Sequence, residues 1–108
     1  MKTLIEHVES LSRYCEDTPE EILWSILQHN KVIDEDSLLV YCVEEYPLGK
    51  ELNVMWGDGN GKKLNEWANK IAKENNCIKM YTTTKRWRPF ARMFHCKPVG
   101  VILEREVF

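Results

Sequence analysis

Leu38-Leu39-Val40-Tyr41-Cys42-Val43 is apolar at six consecutive positions, a run of the kind found in a strand covered on both faces. Pro47-Leu48-Gly49-Lys50 follows as a turn, and a second strand-like segment occupies 51–56. Two strands joined this closely pair as an antiparallel hairpin. Next comes Gly57-Asp58-Gly59-Asn60-Gly61, ahead of a helical stripe of Leu64, Trp67, Ala68 and Ile71 that ends at Asn75-Asn76. Glycines permit positive φ and leave N–H groups uncovered at a helix N-terminus, where the helix dipole also favours an anion. The loop is a candidate phosphate cradle, and the same pattern equally serves a plain tight turn.

The flanking segments set the architecture around this hairpin. Leu4, Val8, Leu11 and Cys15 recur at helical spacing and predict a helix over about 3–15. Thr18-Pro19-Glu20-Glu21 is a start signal, with a Thr N-cap, Pro at the first helical position and Glu at the third, and the helix it opens runs to about Asn30. Acidic Asp34-Glu35-Asp36-Ser37 marks a turn, which leaves room for at most a short strand at Lys31-Val32-Ile33. After the glycine loop and its helix, Ile78, Met80 and Thr82 line one face of a strand over 77–83, Trp87, Phe90, Ala91 and Phe94 predict a helix, and 99–106 reads as a last strand. The expected fold is α/β, a mixed sheet of four to five strands flanked by helices. No repeat, low-complexity tract or linker divides the chain, so 1–108 reads as a single domain with a helical part at 1–30 and a sheet core at 38–107.

Composition narrows the functional classes. No apolar run reaches the length of a membrane span, and the first residues lack the apolar core of a signal peptide, so no membrane association and a cytoplasmic location are expected. The four cysteines, at 15, 42, 77 and 96, form no Cys-x-x-Cys pair and no close Cys/His spacing, so no metal site is expected and the thiols read as small reduced hydrophobes. Net charge is −2, but residues 1–58 carry 13 acids and 4 bases while 59–108 carry 4 acids and 11 bases. Lys85-Arg86-Trp87-Arg88 with Arg92 interleaves basic and aromatic groups, the elements of a nucleic-acid contact. An overall pI near 5.9 and the absence of a nucleic-acid-binding motif argue against that class.

From about Leu38 to Val107 the chain resembles the GNAT acyltransferase superfamily, and within it the small GNAT-like proteins of tailed phages. The resemblance rests on Glu45-Tyr46-Pro47 at the hairpin, Gly57-Asp58-Gly59 before the helix, Leu64-Asn65-Glu66-Trp67-Ala68 within it, Asn76-Cys77-Ile78, Arg86-Trp87, and Val101-Ile102-Leu103-Glu104-Arg105-Glu106. It implies a GNAT-like sheet with two N-terminal helices and a reduced set of N-terminal strands. It also implies that strands 51–56 and 77–83 lie adjacent and parallel, splaying so that the pantetheine arm of acetyl-CoA enters between them. The cofactor-binding residues would then be Met55, Trp56, Gly57, Gly59, Asn60, Gly61 and Lys62.

Several positions depart from the family pattern. Trp56 stands where the family has Arg or Gln, and Asp58 brings a negative charge to the loop. A like-charge pair at 4–5 Å costs about 3–4 kcal/mol at an effective dielectric near 20. Ala91 falls where the family places a Tyr proton donor, leaving His95 or Tyr81 as candidate acids and Glu44, Glu45 or Glu51 as candidate bases. The departures imply a GNAT-fold protein that has lost its chemistry and works by protein contacts, as a phage virion or host-interaction component in the host cytoplasm or the virion, with a protein partner or a second copy of itself. The alternative is an active acyl-CoA-dependent N-acetyltransferase whose catalysis is chiefly proximity.

Overall fold

A computed structural model describes residues 2–82, Arg92 and 96–99 of the chain. Its elements are α1 (Leu4–Ser12), α2 (Pro19–Gln28), β1 (Asn30–Ile33), β2 (Leu38–Tyr46), β3 (Gly49–Asp58), α3 (Gly61–Glu74) and β4 (Cys77–Thr82). The helix expected around 87–94 and the strand expected over 99–106 fall almost wholly outside the described residues.

Local chemistry accounts for the boundaries. Thr3 caps α1 reciprocally with Glu6, a capping box that the sequence carries but that periodicity alone does not pick out. The helix stops at Ser12, short of the predicted 15, because the Arg13 and Tyr14 amides bond back three residues and tighten the last turn. Thr18 caps α2, although here the Glu21 carboxylate accepts from the Thr18 hydroxyl instead of from its amide. α2 ends at Gln28 and not at Asn30, since Asn30 already belongs to β1. Asn76, at φ 57°, turns the chain out of α3 in the left-handed conformation that asparagine tolerates.

The sheet order is β1-β2-β3-β4, with the first three strands antiparallel and β4 parallel to β3. The predicted neighbourhood of 51–56 and 77–83 therefore holds. Alternation along β2 sorts its side chains between two cores. Leu39 joins Leu52 and Val54 beneath Leu64, Ala68 and Ile71 of α3, while Leu38 and Val40 pack on the other face with Val8, Leu11, Ile22 and Ile26 of α1 and α2. Burial on both faces is why the start of β2 reads as an unbroken apolar run.

One irregularity organises the end of β3. Val40 pairs with Trp56 and Tyr41 with Val54, so Met55 is an extra residue, a β-bulge. It turns two consecutive side chains, Met55 and Trp56, toward the α1–α2 core. Beyond it the alternation is reset. Gly57 faces Leu64 of α3, and Asp58 faces α1.

The 34–37 turn between β1 and β2 is docked onto the start of α3. Buried Ser37 accepts the Asn60 amide through its hydroxyl at 3.0 Å, and Lys63 Nζ reaches Asp34 at 2.8 Å and Asp36 at 2.9 Å. Gly59, at φ 115°, lies so close that a Cβ there would stand 2.5 Å from the Asp36 carbonyl and from Ser37 Oγ.

Two outcomes follow from this docking. Gly59→Ala combines a forbidden φ with a backbone collision and is expected to lower unfolding free energy by at least about 1–3 kcal/mol in urea titrations. An unchanged midpoint would show that the turn does not pack there. The Lys63 ammonium, followed by the Ser37 hydroxyl, holds the Asp36 carboxyl down at about 2 from its ordinary 3.8, and Lys63 lowers Asp34 as well. Depressed carboxyls stabilise above their unfolded pKa, so this contribution is full above about pH 4 and fades as pH falls toward 2. Lys63→Met is expected to flatten that part of the melting-temperature profile, and an identical profile would remove the ion pairs as contributors.

Candidate functional site

The parallel ladder between β3 and β4 runs from Lys50–Cys77 to Val54–Thr82, where the Thr82 hydroxyl donates to the Val54 carbonyl at 2.8 Å. β3 continues four residues further. Over 55–58 it keeps β2 on one side and has no strand on the other among the described residues. An extended ligand with amide groups could add there as a strand would. The position lies directly before the glycine loop.

At the head of α3, Asn60 is the N-cap, and its side chain accepts the Lys63 amide at 3.1 Å. The Asn60 amide is itself taken by Ser37, so the Gly61 and Lys62 amides are the ones left without a partner among the described residues. They point along the helix axis with the positive end of the dipole behind them. Lys62 is exposed beside them.

Asp58 is differently placed from the sequence expectation. The bulge at Met55 turns it to α1, where Lys2 Nζ at 2.8 Å and His7 Nδ1 at 2.6 Å both contact Oδ2 and Lys2 also reaches Ser10. Its charge is met by an ammonium and is not aimed at the α3 amides. Trp56 packs against the α1–α2 core and donates its indole N–H to Ser25 at 3.0 Å.

A second group of functional side chains lies on the α1–α2 face of the sheet, toward the hairpin end. Glu44 accepts hydrogen bonds from Tyr46, from Tyr81 at 2.7 Å and from Asn53 at 3.3 Å, with the Cys42 thiol at 3.6 Å. Those donors, Tyr46 first, hold the Glu44 carboxyl below the usual carboxylate range. Burial first, and then the bond to Glu44, pushes the Tyr81 phenol above its ordinary value. The cluster is a fixed anion anchored by neutral donors. The Tyr81 hydroxyl donates to Glu44 and holds its carboxylate in place.

The other predicted candidates are scattered. Glu45 points to the opposite face of the sheet from Tyr81, largely exposed and 3.8 Å from Lys50. Glu51 is 3.7 Å from Lys79. His95 and the 85–88 segment lie outside the described residues, and Arg92 is exposed. Sequence reasoning passed over Asp34 and Asp36 as turn formers, yet both reach the first turn of α3. The only signal for this was the Asp-x-Asp spacing ahead of Ser37.

A cavity of about 560 Å³ opens between the start of α2 and the bulged end of β3, lined by Asp17, Glu20, Glu21, Trp24, Ser25 and Trp56. Its walls are two indoles and three carboxylates. No helix among the described residues is long and apolar enough to cross a membrane.

No protein-family model matches the sequence, and no curated protein matches it. Solved structures do resemble it. A transcriptional regulator from Bacillus halodurans C-125 superposes with a TM-score of 0.60 at 15% identity, covering 97% of this chain and 95% of that one. The aminoglycoside acetyltransferase meta-AAC0020 from an uncultured soil metagenomic sample, solved in complex with sisomicin, gives 0.60 at 16% identity, covering 97% and 84%. A probable acetyltransferase gives 0.53 at 12% identity, covering 96% and 97%. Identities this low carry architecture and not activity. Among the described residues, the four-stranded mixed sheet flanked by three helices matches the GNAT-like acetyltransferase fold.

Proposed function

We propose that this chain binds acyl-CoA along the end of β3 that has no β4 partner among the described residues and transfers the acyl group to an amine. The carrying observation is that β3 runs on past its described ladder with β4 and leads into the Gly61 and Lys62 amides, which have no partner among the described residues. The pantetheine arm would add to 55–57 by strand-like hydrogen bonds, and the diphosphate would take the α3 amides and Lys62. Met55, Trp56, Gly57, Gly59 and Asn60 shape this path through backbone and packing, without charge. Asp58, ion-paired with Lys2 and in contact with His7, does not oppose an anion there as a free carboxylate would.

The reaction needs little beyond placement. The amine nitrogen forms a bond to the thioester carbonyl carbon, the C–S bond breaks, the thiolate leaves, and the nitrogen sheds a proton to water. Holding amine and thioester together supplies up to about 7–11 kcal/mol. The meta-AAC0020 relative is named for acetylating an aminoglycoside, an amine-bearing compound. In this chain the carboxylates and indoles at the start of α2 suit a cationic acceptor, as the ionised Glu44 does.

A second reading, contact with a protein partner without chemistry, draws support from α2. Trp24 and Leu27 stand one turn apart on its outer face, 67% and 60% exposed. Large aromatic side chains of this kind anchor interfaces, which is the role that the phage resemblance implies.

Titration of acetyl-CoA, followed by calorimetry and melting temperature, separates the two. A ligand at one hundred times its dissociation constant stabilises by about 2.7 kcal/mol, so a clear rise in melting temperature at millimolar acetyl-CoA is expected. Gly61→Glu, which sets a carboxylate among the α3 amides, is expected to abolish the rise. No heat and no shift in the unaltered protein would refute acyl-CoA binding and leave the contact role.

A further inference from the structure

β1 borders the sheet, and on its outer side no strand pairs with it among the described residues. The direction of its peptide groups follows from the turn that leads out of it. The Asp34 amide donates to the Ser37 carbonyl at 3.0 Å and closes the β1–β2 hairpin, and residues that bond across an antiparallel pair alternate with residues that do not. Val32 and Asn30 therefore bond inward to Leu39 and Tyr41, while Lys31 and Ile33 turn both amide and carbonyl outward. Both residues are exposed, Ile33 at 44% and on the same face of the sheet as Leu38, the face that α2 covers. Charge along this border is ordered as well. Lys31 stands near its start and Asp34-Glu35-Asp36 at its end. Asp34 and Asp36 are held by Lys63, whereas Lys31 and Glu35, both exposed, are in no ion pair among the described residues.

We propose that β1 pairs with the β1 of a second copy of this chain, antiparallel about a two-fold axis through Val32. Lys31 of each copy then lies opposite Ile33 of the other, and the two residues exchange amide–carbonyl bonds, so every outward peptide group of β1 is used. The same reversal of direction sets the basic start of one strand beside the acidic end of the other. Lys31 falls diagonal to Glu35 of the other copy, within reach of long side chains, and the symmetry repeats this contact on both sides of the axis. A parallel arrangement would instead set Lys31 beside Lys31. Hydrogen-bond direction and charge order thus both make the border complementary to itself, and a second copy is the partner that meets both. The axis stands perpendicular to the sheet, so the two sheets join into one and both α2 helices lie on the same side of it. A ladder of this length makes a weak, concentration-dependent dimer. The inference is independent of acyl-CoA binding, because β1 and β4 are at opposite ends of the described strand order.

Sedimentation equilibrium of the full chain, from micromolar to millimolar concentration at low salt, is expected to show a reversible monomer–dimer equilibrium. Ile33→Pro removes an outward amide that β2 does not use, and it is expected to raise the dissociation constant at least about tenfold while the circular dichroism spectrum stays the same. Lys31→Glu and Glu35→Lys, each alone, oppose like charges at both ends of the ladder and are expected to weaken the dimer by about tenfold, an effect that added salt reduces. Mixing these two variants restores an acid opposite a base at both ends, so the mixture is expected to associate as a heterodimer where neither variant does so alone. Damage to the fold would not be repaired by mixing, which keeps the test valid should the proline variant unfold. A chain that stays monomeric throughout the range, a dimer indifferent to all three substitutions, or charge variants that do not associate when mixed would each overturn the proposal.

Discussion

The extra residue at Met55 decides how the rest of the molecule is put together. A regular β3 would alternate through Val54, Met55 and Trp56 and send Trp56 and Asp58 toward α3. The bulge instead gives Met55 and Trp56 jointly to the α1–α2 core and hands Asp58 to Lys2 and His7. The N-terminal helices are thereby seated on the end of the strand by one indole, one thioether and one ion pair. Bulges also bend and twist their strand, here just past the last described rung of the β3–β4 ladder.

Charge at the head of α3 is arranged by partition. Lys62 remains in solvent, Lys63 is committed to the 34–37 turn, and Asp58 is drawn off to the other side of the sheet. On the hairpin half of that same side, Glu44 is kept ionised by phenols and an amide. The sheet therefore presents separated polar zones, one built from backbone amides and one from an anchored carboxylate beside the β3–β4 ladder.

Much of the framework was legible in the residues because it depends on local signals. The six-residue apolar run, the turn at Pro47-Leu48, the Thr18-Pro19 start and the Leu64–Ala68–Ile71 stripe each fix an element through short-range sterics or burial, and the observed order follows them. Ends were less legible. α1 and α2 stop early because i−3 bonding and the onset of β1 override periodicity, and β2 and β3 are longer than their apolar cores since hairpin pairing carries Glu44, Glu45 and Tyr46 along. The site was the least legible part. Nothing in Val54-Met55-Trp56 announces an insertion in pairing register, so the side of the sheet that Asp58 faces could not be read from alternation. The contact of Asp36 with Lys63 joins residues 27 apart through a tertiary docking that no spacing encodes.

Lys2 offers a last consequence. Its amide donates to the Glu35 carbonyl at 2.7 Å, and its ammonium reaches Ser10 and Asp58, so the first turns of chain are stitched down at both backbone and side chain. The point at which any upstream polypeptide would join is thus close to the acidic turn. A purification tag placed there, above all one rich in histidine or lysine, would raise the local concentration of cations around that turn and change the electrostatic environment of the glycine loop while leaving every residue of the protein untouched.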